Sequence, residues 1–208
     1  MPFGAHETME VHEILSEKKC MIEHFSMYER QCQDPTLREM LHRHIQTATQ
    51  SYNQLVSYTH DYHTAQTKMM PMHTAHTYDI KYGLHNPAPS APQTDMTKMN
   101  DQSIASAMLL AHKNSAKNHM AAALECADPN VRQMLVNGSV MCTHEAYETF
   151  NYMNHRGMYQ VPTMSDHTAK TMLHHYQPMA QGMTGSMEAT GQAAYGTGQN
   201  GIQDAPKM

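Results

Sequence analysis

The chain has 208 residues and a mass of 23.5 kDa, and its 40% hydrophobic and 16% charged residues permit a packed core and exclude wholesale disorder. A net charge of −5, with only 14 Lys and Arg and no basic run, argues against a nucleic-acid binder that neutralises phosphates. No apolar stretch is long enough for a membrane span, and the first residues lack the pattern of a secretory signal, so we expect synthesis in a cytosol.

Four long helices are predicted, because proline and glycine leave four gaps in which apolar residues recur at helical spacing. The helices are expected over 7–32, 36–64, 100–127 and 130–156. Their predicted inward faces comprise Val11, Ile14, Leu15, Lys18, Met21, Ile22, Phe25 and Tyr28; Leu37, Leu41, His44, Ala48, Tyr52, Leu55 and Thr59; Ala105, Leu109, His112, Ala116, His119 and Ala123; and Val131, Leu135, Cys142, Thr149 and Tyr152 or Met153.

The corners within the two helix pairs repeat at an offset of 94 residues. Residues 32–41 (CQDPTLREML) and 126–135 (CADPNVRQML) agree at six of ten positions. In each corner an aspartate, Asp34 or Asp128, precedes a proline that suits the first helical position, so we expect the aspartate to cap the following helix. The chain is therefore interpreted as two helical hairpins that arose by duplication.

Two hairpins joined by a long connection indicate a ferritin-like four-helix bundle. We expect residues 1–65 to form the N-terminal hairpin, 66–95 a Pro-rich crossover and 96–160 the C-terminal hairpin. Residues 161–208 are predicted to be an extended, low-complexity tail, since the last 32 residues hold six of the ten glycines and little apolar content.

A ferritin-like bundle raises the question of a di-metal centre, which takes a carboxylate from each of two helices and a Glu-x-x-His from each of the others. The single Glu-x-x-His, from Glu39 to His42, lies off the inward face, and no acidic residue occurs between Asp101 and Glu125. We therefore expect no such centre, and no nucleophile or phosphate-binding motif predicts other catalysis. The sequence predicts no catalytic residue and no cofactor.

A weaker set of metal-binding side chains remains. His112 and His119 lie two turns apart on the third helix, His144 and Glu145 are near the inward phase of the fourth, and His44 is on the second. These groups suit zinc or another borderline metal; the competing interpretation is a group of core histidines that hydrogen-bond to their neighbours. A ferritin-like metal-binding protein is thus the alternative, and the prediction is that no metal is bound.

Cysteine, methionine and histidine bear on assembly. The four cysteines contain no Cys-x-x-Cys pair, so zinc-ribbon and thioredoxin sites are excluded, while intermolecular disulfides stay open; they are Cys20, Cys32, Cys126 and Cys142. The 22 methionines provide adaptable apolar surface. The 17 histidines would make charge-driven assembly sensitive to pH between about 5 and 7.

Short sequence elements follow a recognisable order along residues 95–160. They are Met96-Thr97, Asp101–Ile104, Ala107–Leu110, Lys113, Ala122, Glu125, Asp128, Val131-Arg132, Leu135, Glu145, Phe150–Met153 and Arg156–Tyr159. In this order they resemble the Coat F domain of bacterial spore coat proteins. Two departures are Met158, where that family usually has Trp, and a fourth helix poor in acid around Glu145, where the family often has paired glutamates.

The resemblance implies a ferritin-like bundle that is a structural part of the spore coat, made in the mother cell and deposited on the forespore. We accordingly expect a protein that is not an enzyme, that forms homo-oligomers and that packs with other spore coat proteins. Neither a nucleic acid nor a membrane is an expected partner.

Overall fold

Four long helices form the first of two compact units. The computed structural model describes residues 3–61, 78–87, 89 and 91–178, and the compact units are Met1–Thr163 and Met164–Met208. The helices are α1 (Ala5–Gln31), α2 (Pro35–Asp61), α3 (Asp101–Leu124) and α4 (Pro129–His155). The prediction of an all-helical chain is confirmed: among the described residues the only other regular pairing is the isolated bridging of Tyr82 and Gly83 to Val161.

A fifth helix, α5 (Asp166–Leu173), lies in the second compact unit. The hydroxyl of Ser165 caps it by accepting a hydrogen bond from the Thr168 amide at 3.2 Å, and none of its residues is buried. The sequence predicts an extended tail here rather than a helix, because eight residues are too few for helical spacing of apolar residues to be distinguished. The predicted tail from 179 onward, residues 62–65 of the predicted N-terminal hairpin and residues 66–77 of the predicted crossover lie outside the described residues.

The four long helices pack as a ring in which α1 contacts α2 and α3, and α4 contacts α3 and α2. The end of α1 lies beside the start of α3, since the Gln33 amide donates to Asp101, and the start of α1 lies beside the start of α4, since the Asp128 amide donates to Glu7. Packed neighbours therefore run antiparallel and α2 runs parallel to α3, which requires one long connection. A closer assignment as ferritin-like stays a prediction.

Both predicted corner caps are confirmed. Asp34 and Asp128 each accept hydrogen bonds from the backbone amides two and three residues ahead, at 2.8 and 3.1 Å for Asp34 and at 2.8 and 3.0 Å for Asp128. These amides belong to the first turn of a helix, where no backbone carbonyl is available to them. The duplicated sequence thus produces a duplicated cap.

The two hairpins also cap each other. Asp101, in the first turn of α3, accepts hydrogen bonds from the amides of Gln33 and Asp34 at 2.8 and 3.1 Å. Glu7, its repeat equivalent in the first turn of α1, accepts one from the amide of Asp128 at 2.8 Å. Each corner is therefore completed by a carboxylate from the other hairpin.

The described crossover residues Lys81 and Gly83 are bound at the end of α4 and in the segment that follows it. The Lys81 amide donates to Asn154 Oδ1 at 2.8 Å, and its ammonium donates to the His155 carbonyl at 2.7 Å. Gly83, whose φ of +98° favours glycine, donates its amide to the Val161 carbonyl at 2.9 Å. The described part of the crossover is therefore fixed to the end of the bundle.

Met158 occupies a packed position despite departing from the expected Trp. It lies against the apolar cluster that contains Met153. The neighbouring Tyr159 packs edge-on against Phe150, with ring centroids 5.3 Å apart, and the Lys113 ammonium lies 5.2 Å from its centroid. The aromatic contact that closes α4 is thus provided by Tyr159.

The core consists of two apolar clusters separated by a polar layer. One cluster lies towards the first corner and comprises Met21, Phe25, Cys32, Leu37, Met40, Leu41, Ala48, Ile104, Ala105, Met108, Leu109, Ala146, Tyr152 and Met153. The other lies towards the second corner and comprises Val11, Ile14, Leu55, Tyr58, Ala122, Ala123, Cys126, Val131, Met134 and Leu135. Within the described helices, no segment combines the length and apolarity needed to cross a bilayer.

Gly138 allows α4 to approach the ring of His119 on α3. A Cβ atom at this position would lie 2.5 Å from His119 Cδ2 and 3.0 Å from its Nε2, which is closer than van der Waals contact allows. The imidazole is fully buried, so moving its ring would displace packed neighbours. Glycine is therefore required by the neighbouring helix.

Gly138→Ala is expected to lower the free energy of unfolding by about 1–2 kcal/mol, because the overpacking penalty exceeds the gain in helix propensity. Urea denaturation measures the change. In a His119→Ala background the clash is absent, so the same substitution should stabilise the protein by up to about 1 kcal/mol. Equal effects in both backgrounds would contradict the assignment.

Candidate functional site

Ionisable side chains from all four long helices meet in the polar layer. Lys18 comes from α1, His44 from α2, His112 from α3, and Glu145 and Glu148 from α4. Their relative exposures are only 2%, 2%, 0%, 8% and 6%, respectively. We call these five residues the central network.

A chain of polar contacts runs through the central network from the surface inward. Arg43 donates to Glu148 Oε1 at 2.5 Å, and His44 Nε2 lies 3.0 Å from Glu148 Oε2. His44 Nδ1 lies 3.0 Å from His112 Nε2. His112 Nδ1 then lies 3.2 Å from Glu145 Oε2, but without hydrogen-bond geometry.

The proton positions in this chain follow from its charged end. An ionised Glu148 only accepts hydrogen bonds, so His44 Nε2 carries a proton. Between His44 Nδ1 and His112 Nε2 one nitrogen donates and the other accepts. When His44 accepts, His112 Nδ1 is a bare lone pair that faces Glu145 and is complemented by a protonated carboxyl group or by a cation; when His44 donates, His112 Nδ1 carries a proton.

The two glutamates of the central network have opposite electrostatic environments. Burial alone would raise the pKa of Glu148, but the hydrogen bond and charge of His44, together with Arg43, outweigh it and hold the pKa below its usual value. Burial raises the pKa of Glu145, with nearby Glu148 adding to the shift and His44 and Lys18 opposing it. Glu148 is thus the anion of the network, whereas Glu145 favours its neutral form.

Lys18 is the cation enclosed among these groups. Burial lowers its pKa, and electrostatic interactions with Cys142, Glu145 and Glu17 oppose that shift. An enclosed ammonium group is costly unless anions compensate it. Lys18 and Glu145 therefore determine each other's charge.

The buried histidines of α3 are held neutral. Burial lowers the pKa of His112 well below its usual range, and the charges of His44 and Lys18 act in the same direction. Burial and the charge of Lys18 lower the pKa of His119 to about 3. His119 Nδ1 donates to the Ser115 carbonyl at 2.8 Å, which leaves its Nε2 without a hydrogen-bond partner among the described residues.

Cys142 adds a sulfur atom to the inner end of the network. One ligand atom from each of His112, Cys142 and Glu145 lies within 4.8 Å of the other two. Burial raises the pKa of the Cys142 thiol to about 11, with Glu145 acting in the same direction. The three side chains offer nitrogen, sulfur and oxygen to a single ligand, and without one the thiol stays protonated.

The outer end of the network is reached through a surface cavity. This cavity is small, and it is lined by Thr36, Glu39, Met40, Arg43, Tyr78, Glu148 and Tyr152. Solvent therefore meets the Arg43–Glu148 ion pair, while the inner groups lie behind His44.

The structure brings together part of the alternative metal set that the sequence analysis proposed. His44, His112 and Glu145 belong to one network. His119 does not join the ligand group, because its Nδ1 is bound to Ser115, and His144 is only partly buried. The expectation that core histidines hydrogen-bond to their neighbours applies to His44, but one ring nitrogen of each α3 histidine has no partner among the described residues.

Two functional side chains were missed from the sequence. Glu148 was passed over because α4 was judged poor in acid, although Glu145 and Glu148 are three residues apart and so lie on one helical face. Cys142 was assigned to the core without a role. Glu39 and His42 are exposed, which confirms that they lie off the inward face.

The chain was compared with known proteins. Residues 100–162 match the model of the Coat F domain. The spore coat protein F-like protein YhcQ of Bacillus subtilis (strain 168) is 30% identical over 185 residues, which cover 86% of this chain and 82% of that protein. A crystal structure from Bacillus halodurans C-125, provisionally assigned as a spore coat protein, has a TM-score of 0.59 at 13% identity and covers 80% of this chain and 97% of its own, which shows a shared fold.

Glu148→Gln is expected to lower the free energy of unfolding at pH 7 by about 2–3 kcal/mol, because the amide group leaves Arg43 without its buried anion. Glu39→Gln is the matched control, since Glu39 contacts the same guanidinium at 3.3 Å but its side chain is 71% exposed. Its effect should be at most about 0.5 kcal/mol. Similar losses in the two variants, measured by urea denaturation, would refute the special role of Glu148.

Stability is expected to fall as the pH falls from 7 to 5. The pKa of His119 is about 3 in the folded chain and 6.5 when unperturbed. Between pH 7 and pH 5 the unfolded chain therefore binds a proton on this imidazole that the folded chain does not bind. The free energy of unfolding falls by about 2 kcal/mol as a result. In His119→Leu the difference in the free energy of unfolding between pH 7 and pH 5 should be smaller by this amount, as measured by urea denaturation at both pH values.

The control for this experiment is His12→Leu, which removes an exposed imidazole from α1. It should leave the difference between pH 7 and pH 5 unchanged. The raised pKa of Glu145 has the opposite sign, but it contributes to all three proteins and cancels in the comparison. An undiminished loss in His119→Leu would contradict the prediction.

Proposed function

The chain belongs to the Coat F family of spore coat proteins, and we propose that it is a non-enzymatic structural component of the bacterial spore coat. In this proposal the protein self-associates and packs with other coat proteins. The observation that carries it is the similarity to a spore coat protein F-like protein over 86% of the chain.

The position of the polar groups supports a structural role. The ionisable groups of the central network are at most 8% exposed, and they contact one another across the bundle. Catalysis on an external substrate requires reactive groups that the substrate touches. Side chains enclosed in this way instead hold the helices in register.

The outer side of α3 supports packing against other protein molecules. Leu110, Met120 and Leu124 share this side and are 59%, 40% and 74% exposed. Large exposed apolar side chains that lie together are typical of protein–protein contacts, and methionine adapts to irregular partners. We therefore place a contact between coat molecules on this side of α3.

Fractionation of purified spores tests the proposal. Antibody against the chain should detect it in the coat extract released by denaturant and reductant, and immunogold should label the coat layers. A cytosolic mother-cell protein serves as the control for adsorption. Recovery of the chain in the spore core, or equally in vegetative cells, would exclude the proposed role.

A variant with Leu110→Glu and Leu124→Glu is expected to shift from the coat extract to the soluble mother-cell lysate, because the apolar contact is lost. Lys98→Glu is exposed, lies outside α3 and changes the net charge by the same amount. It should be incorporated normally. Equal incorporation of both variants would move the contact elsewhere on the surface.

A further inference from the structure

We propose that the inner end of the central network is a binding site for one divalent cation of the zinc class. Its protein ligands are His112 through Nδ1, Cys142 through Sγ and Glu145 through its carboxylate. The proposal does not depend on the place of the protein in the spore, since it rests on side chains inside the bundle.

The donor set selects the type of ion. The three ligand atoms lie within 4.8 Å of one another, and they come from adjacent helices, α3 and α4. Zinc bonds to nitrogen, sulfur and oxygen are about 2.0–2.3 Å long. Side-chain rotations that move each ligand atom by about 1 Å would therefore bring the three atoms into tetrahedral positions around one ion. A mixed set with a thiolate and an imidazole favours zinc or cobalt over magnesium or calcium.

An unpartnered nitrogen points into the site. His112 is completely buried, and its Nδ1 makes no hydrogen bond within the described parts of the chain, although Glu145 Oε2 is 3.2 Å away. Buried polar atoms are rarely left in this state. A cation bound at Nδ1, in the tautomer whose Nε2–H donates to His44, would give this nitrogen its partner.

The remainder of the network resembles the support that metal-binding histidines normally have. The other nitrogen of His112 is held by His44, which is held in turn by Glu148 and Arg43. A histidine ligand usually donates its second N–H to a neighbouring acceptor, which fixes the tautomer and the ring orientation. His112 is therefore oriented as a ligand before any ion arrives.

Charge balance makes Lys18 a competitor for the ion. Binding releases the proton of the Cys142 thiol and any proton on Glu145, so the two anionic ligands neutralise the divalent cation. Lys18 is 2% exposed and interacts electrostatically with the same two residues. The ammonium group and the cation cannot both be compensated by this pair, so removal of the ammonium should strengthen binding.

From the sequence alone, the prediction is that no metal is bound, and the proposed cation site departs from that prediction. Sequence periodicity placed Cys142 and Glu145 on the inward face of α4 but did not show that both lie against His112. Nor did it show that one nitrogen of His112 lacks a partner.

Cobalt titration of the untagged, full-length, reduced protein provides the test. We expect one Co²⁺ per chain with the near-ultraviolet absorption of a thiolate–cobalt bond, and displacement of this signal by Zn²⁺. Cys142→Ser should abolish the signal, whereas Cys126→Ser, which alters a buried thiol at the second corner, should retain it. Lys18→Met should tighten binding several-fold.

Three outcomes would overturn the proposal. They are a wild-type protein that binds no Co²⁺, binding without thiolate absorption (the result expected from surface histidines alone), and a signal that survives in Cys142→Ser. Because the first two concern the wild-type protein, they do not depend on the folding of any variant. Circular dichroism of each variant, together with the Lys18→Met affinity, separates loss of a ligand from loss of the fold.

Discussion

The burial of charge between two apolar clusters is the constraint on which the bundle depends. Each long helix contributes at least one ionisable side chain to this layer, and a buried charge without its partner is strongly destabilising. Sliding a helix by one turn would preserve most apolar contacts but separate His44 from Glu148, or His112 from His44. The polar layer thus selects one register for helices that apolar packing alone would hold less specifically.

The elements were predictable because their signals are local. Helical spacing of apolar residues identified α1 to α4, and the Asp-Pro pairs at 34 and 128 predicted caps that the structure contains. The central network was only partly predictable, since periodicity assigns a residue to a face but does not reveal which side chain lies opposite. The contact of Glu148 with Arg43 and His44 joins residues more than 100 positions apart, and no local pattern encodes it.

The 94-residue sequence repeat accounts for the ends of the bundle better than for its middle. The corners and their caps are equivalent in both hairpins, whereas at the 94-residue offset Lys18 corresponds to His112, and His44 corresponds to Gly138. His119 corresponds to Phe25, and its ring fits only because Gly138 has no side chain. The two halves therefore differ in sequence where they meet, and the interior of the bundle is asymmetric although its corners are repeated.

Because Glu7 and Asp101 each cap a corner of the other hairpin, the packed bundle extends beyond the residues that match the sequence family. The Coat F match spans residues 100–162, yet the Asp128 amide within it is satisfied by a carboxylate from outside that range. The apolar faces of α3 and α4 are likewise covered by α1 and α2. The matched hairpin is thus half of one packed unit, and a polypeptide that retained only this half would expose to water the apolar faces that α1 and α2 cover.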